Sequence, residues 1–429
     1  MRNLLNSSIN WITFSNDDVN KAREIIKSLG GDSTIDAIGL RIPFEAISNI
    51  LFPGTSTLHT RLRYQVFVPA IIYSLYERKP ILNPGKFLYN LEVNLQNILL
   101  ESGESLGVIG RKSKENLKYW PSLTYWGALN TMQIWGKVQV SKGDIFDDLS
   151  GKGPNLIKND DGTIEWNEGE FRASFVYDHE FALIAKSLFK DFKNGKLKNF
   201  ISFELTKAEA EFYKKKYTSL FPNSLSNYLI RLRKNNIKQL ESLFNISQTG
   251  ISVLDEILDQ CEKYSRISQG INYAYCSILC KHRANYVYKK NEERKKEWND
   301  YAENNLKHLI NWFKNNNHLK NWSINNLEAS LENYKHSSVI DLNLKVLCNN
   351  FINSWKEEKN PVNFLIKLAP IVIQQEKIRR GPRSHFRDST ISIADNTKGL
   401  EKYSNHLLIY RWNLGKQNAI DIVSKLKGK

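Results

Sequence analysis

Apolar residues recur along most of this chain at helical rather than strand spacing. The first such segment is bracketed by its own punctuation: Ser15 at a capping position, Asp18 three residues on, and Gly30-Gly31 as a stop. Between them Val19, Ala22, Ile25, Ile26 and Leu29 line one face. Ile42-Pro43 then opens a short helix containing Phe44, Ile47 and Ile50, closed by the turn residues from Phe52 to Thr57. A further helix is expected from about Thr57 through Tyr76, kinked or tolerant at Pro69. Beyond Asn83-Pro84, Leu88, Leu91, Leu95, Ile98 and Leu99 repeat with helical spacing as far as Ser102-Gly103. Tyr119, Trp120, Tyr125, Trp126, Leu129 and Trp135 follow at near-helical spacing and are read as core.

The pattern weakens from Asp144 to Phe175, where glycines and Pro154 mark loops. Within it, Thr163–Trp166 and Phe171–Tyr177 are expected to pair as a small hairpin. Helical spacing resumes at Leu205 with the capping box Thr206-x-x-Glu209, and Leu225, Tyr228, Leu229 and Leu232 continue it past Pro222. Apolar positions from Ile267 to Cys280, a charged run, and then Leu306 to Phe313 predict two long helices or one bent one. No repeat of solenoid period is found. The expected fold is therefore mainly α and multi-helical, with at most a small β-hairpin near residues 163–177. Its expected organisation is an N-terminal helical domain at 1–150, an irregular linker at 151–204 and a C-terminal helical domain at 205–429.

At 429 residues and 41% hydrophobic content the chain can fill more than one core. Four cysteines (Cys261, Cys276, Cys280, Cys348) are too few and too unevenly placed for a disulfide framework. Asn3, Asn6, Ser7, Ser8 and Asn10 interrupt what would have to be the apolar core of a secretion signal. The apolar run Val66–Leu75 falls far short of the roughly 20 residues that cross a bilayer and reads as a buried helix. A cytoplasmic location with no membrane partner is expected.

Charge changes the picture more than composition does. Lys and Arg exceed Asp and Glu by 16, and the surplus grows along the chain: +2 over residues 1–150, +5 over 151–300 and +9 over 301–429. A basic field of this kind points to a polyanion, with nucleic acid the leading candidate for a cytoplasmic protein.

Most of the short motifs have plain structural readings. Gly103-Glu104-Ser105-Leu106-Gly107 matches the string of a hydrolase nucleophile elbow, but a helix rather than a strand is expected before it. Cys276 and Cys280 lie one helical turn apart with His282 beyond, yet a second ligand pair is missing, so no metal or other cofactor is implied. The strings Asp191-Phe192-Lys193, Glu293-Arg294-Lys295 and Glu357-Glu358-Lys359 offer the carboxylates and lysine of a Mg²⁺-dependent nuclease, but none sits beside an expected strand.

Two segments carry more. In Phe52–Tyr64 (FPGTSTLHTRLRY), Ser56 or Thr57 is expected to cap a new helix whose first turns present His59, Thr60, Arg61 and Arg63 either to a phosphate or, equally, to acidic neighbours across a helix-helix connection. The second segment groups Lys377, Arg379, Arg380, Arg383 and Arg387 around Gly381-Pro382, with His385 and Phe386, as a basic loop suited to a sugar-phosphate backbone, the alternative being a solvated loop without a partner. The site expected from sequence is therefore Ser56, Thr57, Thr60, Arg61, Arg63, Lys377, Arg379, Arg380, Arg383 and Arg387, with the two segments brought together on one polyanion.

Several longer strings add a resemblance: Trp11-Ile12-x-Phe14-Ser15, Leu51–Thr57 with Thr60-Arg61-x-Arg63-Tyr64, Gly107–Arg111, Pro121-Ser122-x-x-Tyr125-Trp126, Leu205-Thr206-x-x-Glu209-Ala210, Tyr410-Arg411-Trp412 and Asp421-Ile422. Together they resemble an uncharacterised bacterial family of unknown function associated with multi-gene anti-phage defence islands that encode helicases and phospholipase-D-like nucleases. The chain departs from that pattern in its richness in Asn and Lys and in the polar stretch from Gly381 to Asn396. The resemblance implies DNA as the shared partner, with helicase or nuclease proteins of the same locus alongside, and brings no catalytic residue or cofactor. The leading expectation is a non-catalytic, nucleic-acid-associated component of a defence complex. The alternatives are a divergent Mg²⁺-dependent nuclease and a structural adaptor for partner enzymes.

Overall fold

The computed structural model describes residues 36–76, 80–104, 106–112, 117–136, 139–151, 156–158, 164–166, 179–193, 201–381, 384–386 and 407–426. The helix expected between Ser15 and Gly30 and the second hairpin arm at 171–177 lie outside them. The fold is mainly α and multi-helical. In chain order the helices are α1 (Arg41–Leu51), α2 (Tyr64–Tyr76), α3 (Pro84–Glu101), α4 (Pro121–Thr131), α5 (Lys142–Leu149), α6 (His179–Lys193), α7 (Lys207–Leu220), α8 (Leu225–Leu229) and α9 (Lys234–Gln239). They continue with α10 (Ser252–His282), α11 (Glu292–Asn315), α12 (Ile324–Glu332), α13 (Leu342–Glu357), α14 (Pro361–Arg380) and α15 (Trp412–Leu426).

Between α5 and α6 a two-stranded antiparallel hairpin pairs β1 (Leu156–Lys158) with β2 (Ile164–Trp166) in the register Leu156↔Trp166. The strand ending at Trp166 thus takes its partner from the chain before it. The stretch from Asp144 is also more helical than its glycines suggest. Ser141 caps α5 in a full capping box, accepting from the Asp144 N–H while Asp144 accepts from the Ser141 N–H.

The chain divides into two compact units, each gathered from separated stretches. One comprises Met1–Pro43, Lys263–Glu328 and Ser338–Leu408; the other comprises Phe44–Glu262, Ala329–Ser337 and Ile409–Lys429. A reading in sequence order has no means of finding such a division, because neither unit is continuous.

The first unit is built on the second half of α10 with α11, α13 and α14. Trp312 of α11 meets Phe351 and Trp355 of α13, with ring centroids 5.5 and 4.9 Å apart, and Phe364 of α14 closes on Phe351 at 5.5 Å. Gly270 lets α10 approach this cluster, since a Cβ there would stand 2.8 Å from the Trp312 ring. Cys276 and Cys280 are fully buried core residues of α10, and burial pushes the Cys280 thiol up to about 12.

In the second unit α2 is the central element. Apart from Tyr73 and Tyr76 all of its residues are buried, as a helix that is apolar all round must be. This is the run Val66–Leu75, and no described helix is long and apolar enough to cross a membrane. Around it, α3 and α4 are joined by a buried carboxylate. Glu92 of α3 accepts hydrogen bonds from the Ser122 N–H (2.5 Å) and hydroxyl (3.2 Å) in the first turn of α4, and Lys142 Nζ lies 2.8 Å from the same hydroxyl. Anchoring a carboxylate at a helix N-terminus is favourable, yet burial pushes the Glu92 carboxyl up to about 7 from an ordinary 4.5.

The sign of the linkage follows. Between those two values the unfolded chain gives up the proton while the folded one keeps it, so stability falls as pH rises through that window and levels off above it. Glu92→Gln, which keeps the shape and one accepting oxygen but cannot titrate, is expected to flatten this slope. Thermal unfolding of both proteins between about pH 5 and pH 8 checks it; parallel curves would remove Glu92 as the cause.

Candidate nucleic-acid interface

The segment Phe52–Arg63 is not the start of a helix. Helix α2 begins at Tyr64, and the preceding residues form a locked loop. The reason is tertiary. The Tyr125 hydroxyl accepts from the N–H groups of Thr60 (2.8 Å) and Arg61 (3.1 Å) and donates to the Arg61 carbonyl (2.9 Å), taking groups a helix would have used. The Thr60 hydroxyl donates to the Gly107 carbonyl at 2.6 Å, and the Tyr64 hydroxyl accepts from the Ile109 N–H at 3.0 Å. His59 stacks on Tyr125 with centroids 4.0 Å apart. Burial pushes its imidazole down to about 4, so it is a neutral packing residue at physiological pH.

The far end of the chain locks the same loop. Arg411 donates to the Thr55 carbonyl (2.6 Å) and the Asn49 side chain (2.8 Å) and pairs with Glu45. Gln65 holds the Gly54 carbonyl at 2.9 Å. Arg63 turns inward to a buried ion pair with Glu209, the N3 residue of the Thr206 capping box on α7. Apart from Trp11–Ser15, outside the described residues, the strings that carried the resemblance therefore meet in one interlock. Its first consequence is structural: it holds the second unit together.

This corrects several site expectations. Ser56 and Thr57 cap no helix, and the Thr60 hydroxyl and the Arg63 guanidinium are spent within the fold. Arg61 differs. It is half-buried, with its guanidinium 5.4 Å over the Phe203 ring, and it stands within electrostatic range of Asp421 on α15. Burial raises the Asp421 carboxyl, while Gln417, Arg61 and Lys234 act to lower it. Arg61 and Lys234 thus both act electrostatically on this one carboxylate.

Lys234 belongs to a run that charge totals over thirds of the chain concealed. Residues 212–240 contain no Asp or Glu, and Arg231 and Arg233 in the turn between α8 and α9, with Lys234 and Lys238 on α9, all stand exposed. Lys416 of α15 fixes this segment by donating to the carbonyls of Lys238 (3.1 Å) and Leu240 (2.5 Å) at the C-terminus of α9. A count in shorter windows would have found the run.

The second basic segment, in the first unit, is also not a free loop. Lys377, Arg379 and Arg380 form the last turn of α14, which ends at Gly381 with φ +52. Arg379 pairs with Asp341 at 2.5 Å, and its guanidinium packs against Gly39, where a Cβ would stand 2.8 Å away. Arg380 is buried beside Glu376 at 3.7 Å. Glu376 in turn binds the Ser384 hydroxyl (2.7 Å), the His385 N–H (3.1 Å) and the His385 imidazole (2.7 Å). Burial pushes the Glu376 carboxyl up, but these hydrogen bonds outweigh it and leave it below the usual value. Phe386 seals the arrangement edge-on against Tyr275 and His282. Lys377 remains exposed, and Arg383 and Arg387 lie outside the described residues. The two arginine segments belong to different units, and most of their described charges are matched locally.

The carboxylate-lysine strings occupy helices. Glu293-Arg294-Lys295 lies in the first turns of α11, with Lys295 paired to Glu292 and Arg294 to Glu297, and Glu357 at the end of α13 pairs with Lys367. Asp191-Phe192-Lys193 ends α6. Among the described residues no three His, Cys, Asp or Glu side chains converge as metal ligands.

A family of unknown function, DUF6361, matches residues 6–168. The match includes the Phe52–Arg63 loop and Tyr125, and stops short of Glu209, the Arg231–Lys238 run, Arg411 and Asp421. No curated protein matches the chain. No solved structure matches it.

Proposed function

We propose that this chain is a nucleic-acid-associated component of a bacterial anti-phage defence complex, holding DNA through phosphate contacts and presenting it to partner enzymes without chemistry of its own. The observation that carries the reading is the exposed, acid-free run Arg231, Arg233, Lys234 and Lys238; Arg61 and Lys234 both act on the Asp421 carboxylate. Cations on a short, fixed scaffold suit backbone contact, which positions a duplex without reading its bases. The sequence counts support it: 33 basic against 27 acidic residues in the unit that holds this run, and 28 against 18 in the other. The defence context rests on the resemblance alone.

Duplex DNA binding by the full chain is expected to weaken steeply with salt, with a log-log slope of about −0.9 per phosphate contact. Replacing Arg231, Arg233, Lys234 and Lys238 by alanine should reduce that slope by several contacts, equally for unrelated duplexes, while thermal unfolding stays unchanged because all four side chains are exposed. Fluorescence anisotropy across a salt series measures both. Undetectable binding at low ionic strength, or binding indifferent to salt, would overturn the proposal. Capture of a helicase or nuclease that survives nuclease treatment in that case would mark the chain as an adaptor.

A further inference from the structure

Helix α10 does not end where its α-helical hydrogen bonding stops. Residues Arg283–Val287 continue it as a single π turn, in which the Tyr288 N–H donates to the Arg283 carbonyl at 2.9 Å. Such turns insert a residue into a helix and recur at functional positions. This one is pinned on both sides. Arg283 is buried with its guanidinium 5.2 Å over the Trp298 ring, Ala284 is buried, and Tyr288 stacks on Trp298 with centroids 6.1 Å apart and planes within 12°.

Between these anchors Tyr286 faces outward, 67% exposed. Its ring rests on His282 at 4.7 Å, and His282 is backed edge-on by Phe386 at 5.2 Å. An exposed tyrosine is ordinary; one held on a rigid turn and backed by two further rings is preorganised. Its surroundings are cationic. Lys281, Lys289 and Lys290 are exposed within five residues of it, and no acidic residue occurs from 263 to 291.

We propose that Tyr286 is a stacking platform for a base of single-stranded nucleic acid, with Lys281, Lys289 and Lys290 holding the phosphates on either side. The pairing of an aromatic face with a cationic track is how single strands are held without sequence preference. Duplex offers no unstacked base to such a ring, so this site and the Arg231–Lys238 run would take different forms of the polymer. The inference rests on the nucleic-acid reading above and adds to it a second site for strands already opened.

The test uses the full chain with labelled oligothymidylate, oligouridylate of the same length, and a duplex. Tyr286→Ala is expected to weaken binding of the single strand by about 5- to 150-fold, the effect of losing one base stack. Tyr286→Phe, which keeps the face and loses the hydroxyl, should stay within about twofold of the parent, and duplex binding should not change. Comparing the thymidylate and uridylate arms shows whether DNA or RNA is the preferred strand. Equal affinity of the alanine variant and the parent, or equal losses in the alanine and phenylalanine variants, would overturn the platform. So would a parallel loss on duplex. Duplex binding without single-strand binding would overturn this inference alone; absence of both would overturn the broader reading with it.

Discussion

Truncating Glu209 to alanine is expected to destabilise the protein by about 3–5 kcal/mol, because it leaves a buried guanidinium without its counter-charge. Arg63 and Glu209 are 5% and 2% exposed, and their charged groups meet at 3.1 Å. The remaining donors of Arg63 have one further described acceptor, the Ser202 carbonyl at 2.7 Å, and the guanidinium lies 5.2 Å over the Phe67 ring. Water has no easy way to replace the lost carboxylate. The substitution also removes half of the capping box of α7, where Glu209 accepts from the Thr206 N–H at 2.7 Å. Urea unfolding gives the difference directly. A loss below about 1 kcal/mol would mean the pair is solvated and its burial illusory. A double variant, Arg63→Met with Glu209→Met, should recover much of the loss, since a matched apolar pair carries no stranded charge. Weak DNA binding by an Arg63 variant would therefore report damage to the fold, and Arg61 and Arg231–Lys238 are the better probes of the interface.

That contrast explains which parts of the molecule the sequence makes legible. Helix α3 stands where Asn83-Pro84 and Ser102-Gly103 place it, and α7 opens at its Thr206–Glu209 box. In both cases start, stop and periodicity are local. Of the aromatic segment expected as core, Tyr125, Leu129 and Trp135 are fully buried while Tyr119, Trp120 and Trp126 are half-buried. The loop before α2 misleads for the opposite reason. Its Ser, Thr and Pro-Gly punctuation imitates a helix start, and what forbids the helix is a tyrosine hydroxyl more than sixty residues away. The arginines mislead similarly. Nothing near Arg63 or Arg379 in the sequence announces Glu209 or Asp341, so residues that look like a phosphate site are ion pairs in the fold. The Arg231–Lys238 run was legible all along, since its signal is an absence of acidic residues over a short window. Tyr286 was not, because the π turn that displays it leaves no local sequence mark.

Gly415→Ala is expected to cost stability although alanine is the better helix former by about 1 kcal/mol. Gly415 lies in the first turn of α15, where an added Cβ would stand 2.0 Å from Cδ1 and 2.2 Å from Cε1 of Phe52. That ring cannot simply withdraw. It is fully buried, tilted against Trp412 at 6.3 Å, and continues into the loop that Gln65 and Arg411 hold by the Gly54 and Thr55 carbonyls. Relieving the clash means moving α15 or breaking that lock. Overpacking of this kind costs about 1–3 kcal/mol or more, enough to outweigh the gain in helix propensity. In a Phe52→Leu background the same substitution should cost much less, and the difference between backgrounds isolates the clash from any other effect of the methyl group. Because the displaced loop carries Arg61 and α15 carries Asp421, Gly415→Ala should also weaken duplex binding under conditions where the protein remains folded. A variant that unfolds within about 0.5 kcal/mol of the parent, with Phe52 intact, would show that helix and loop have slack enough to part.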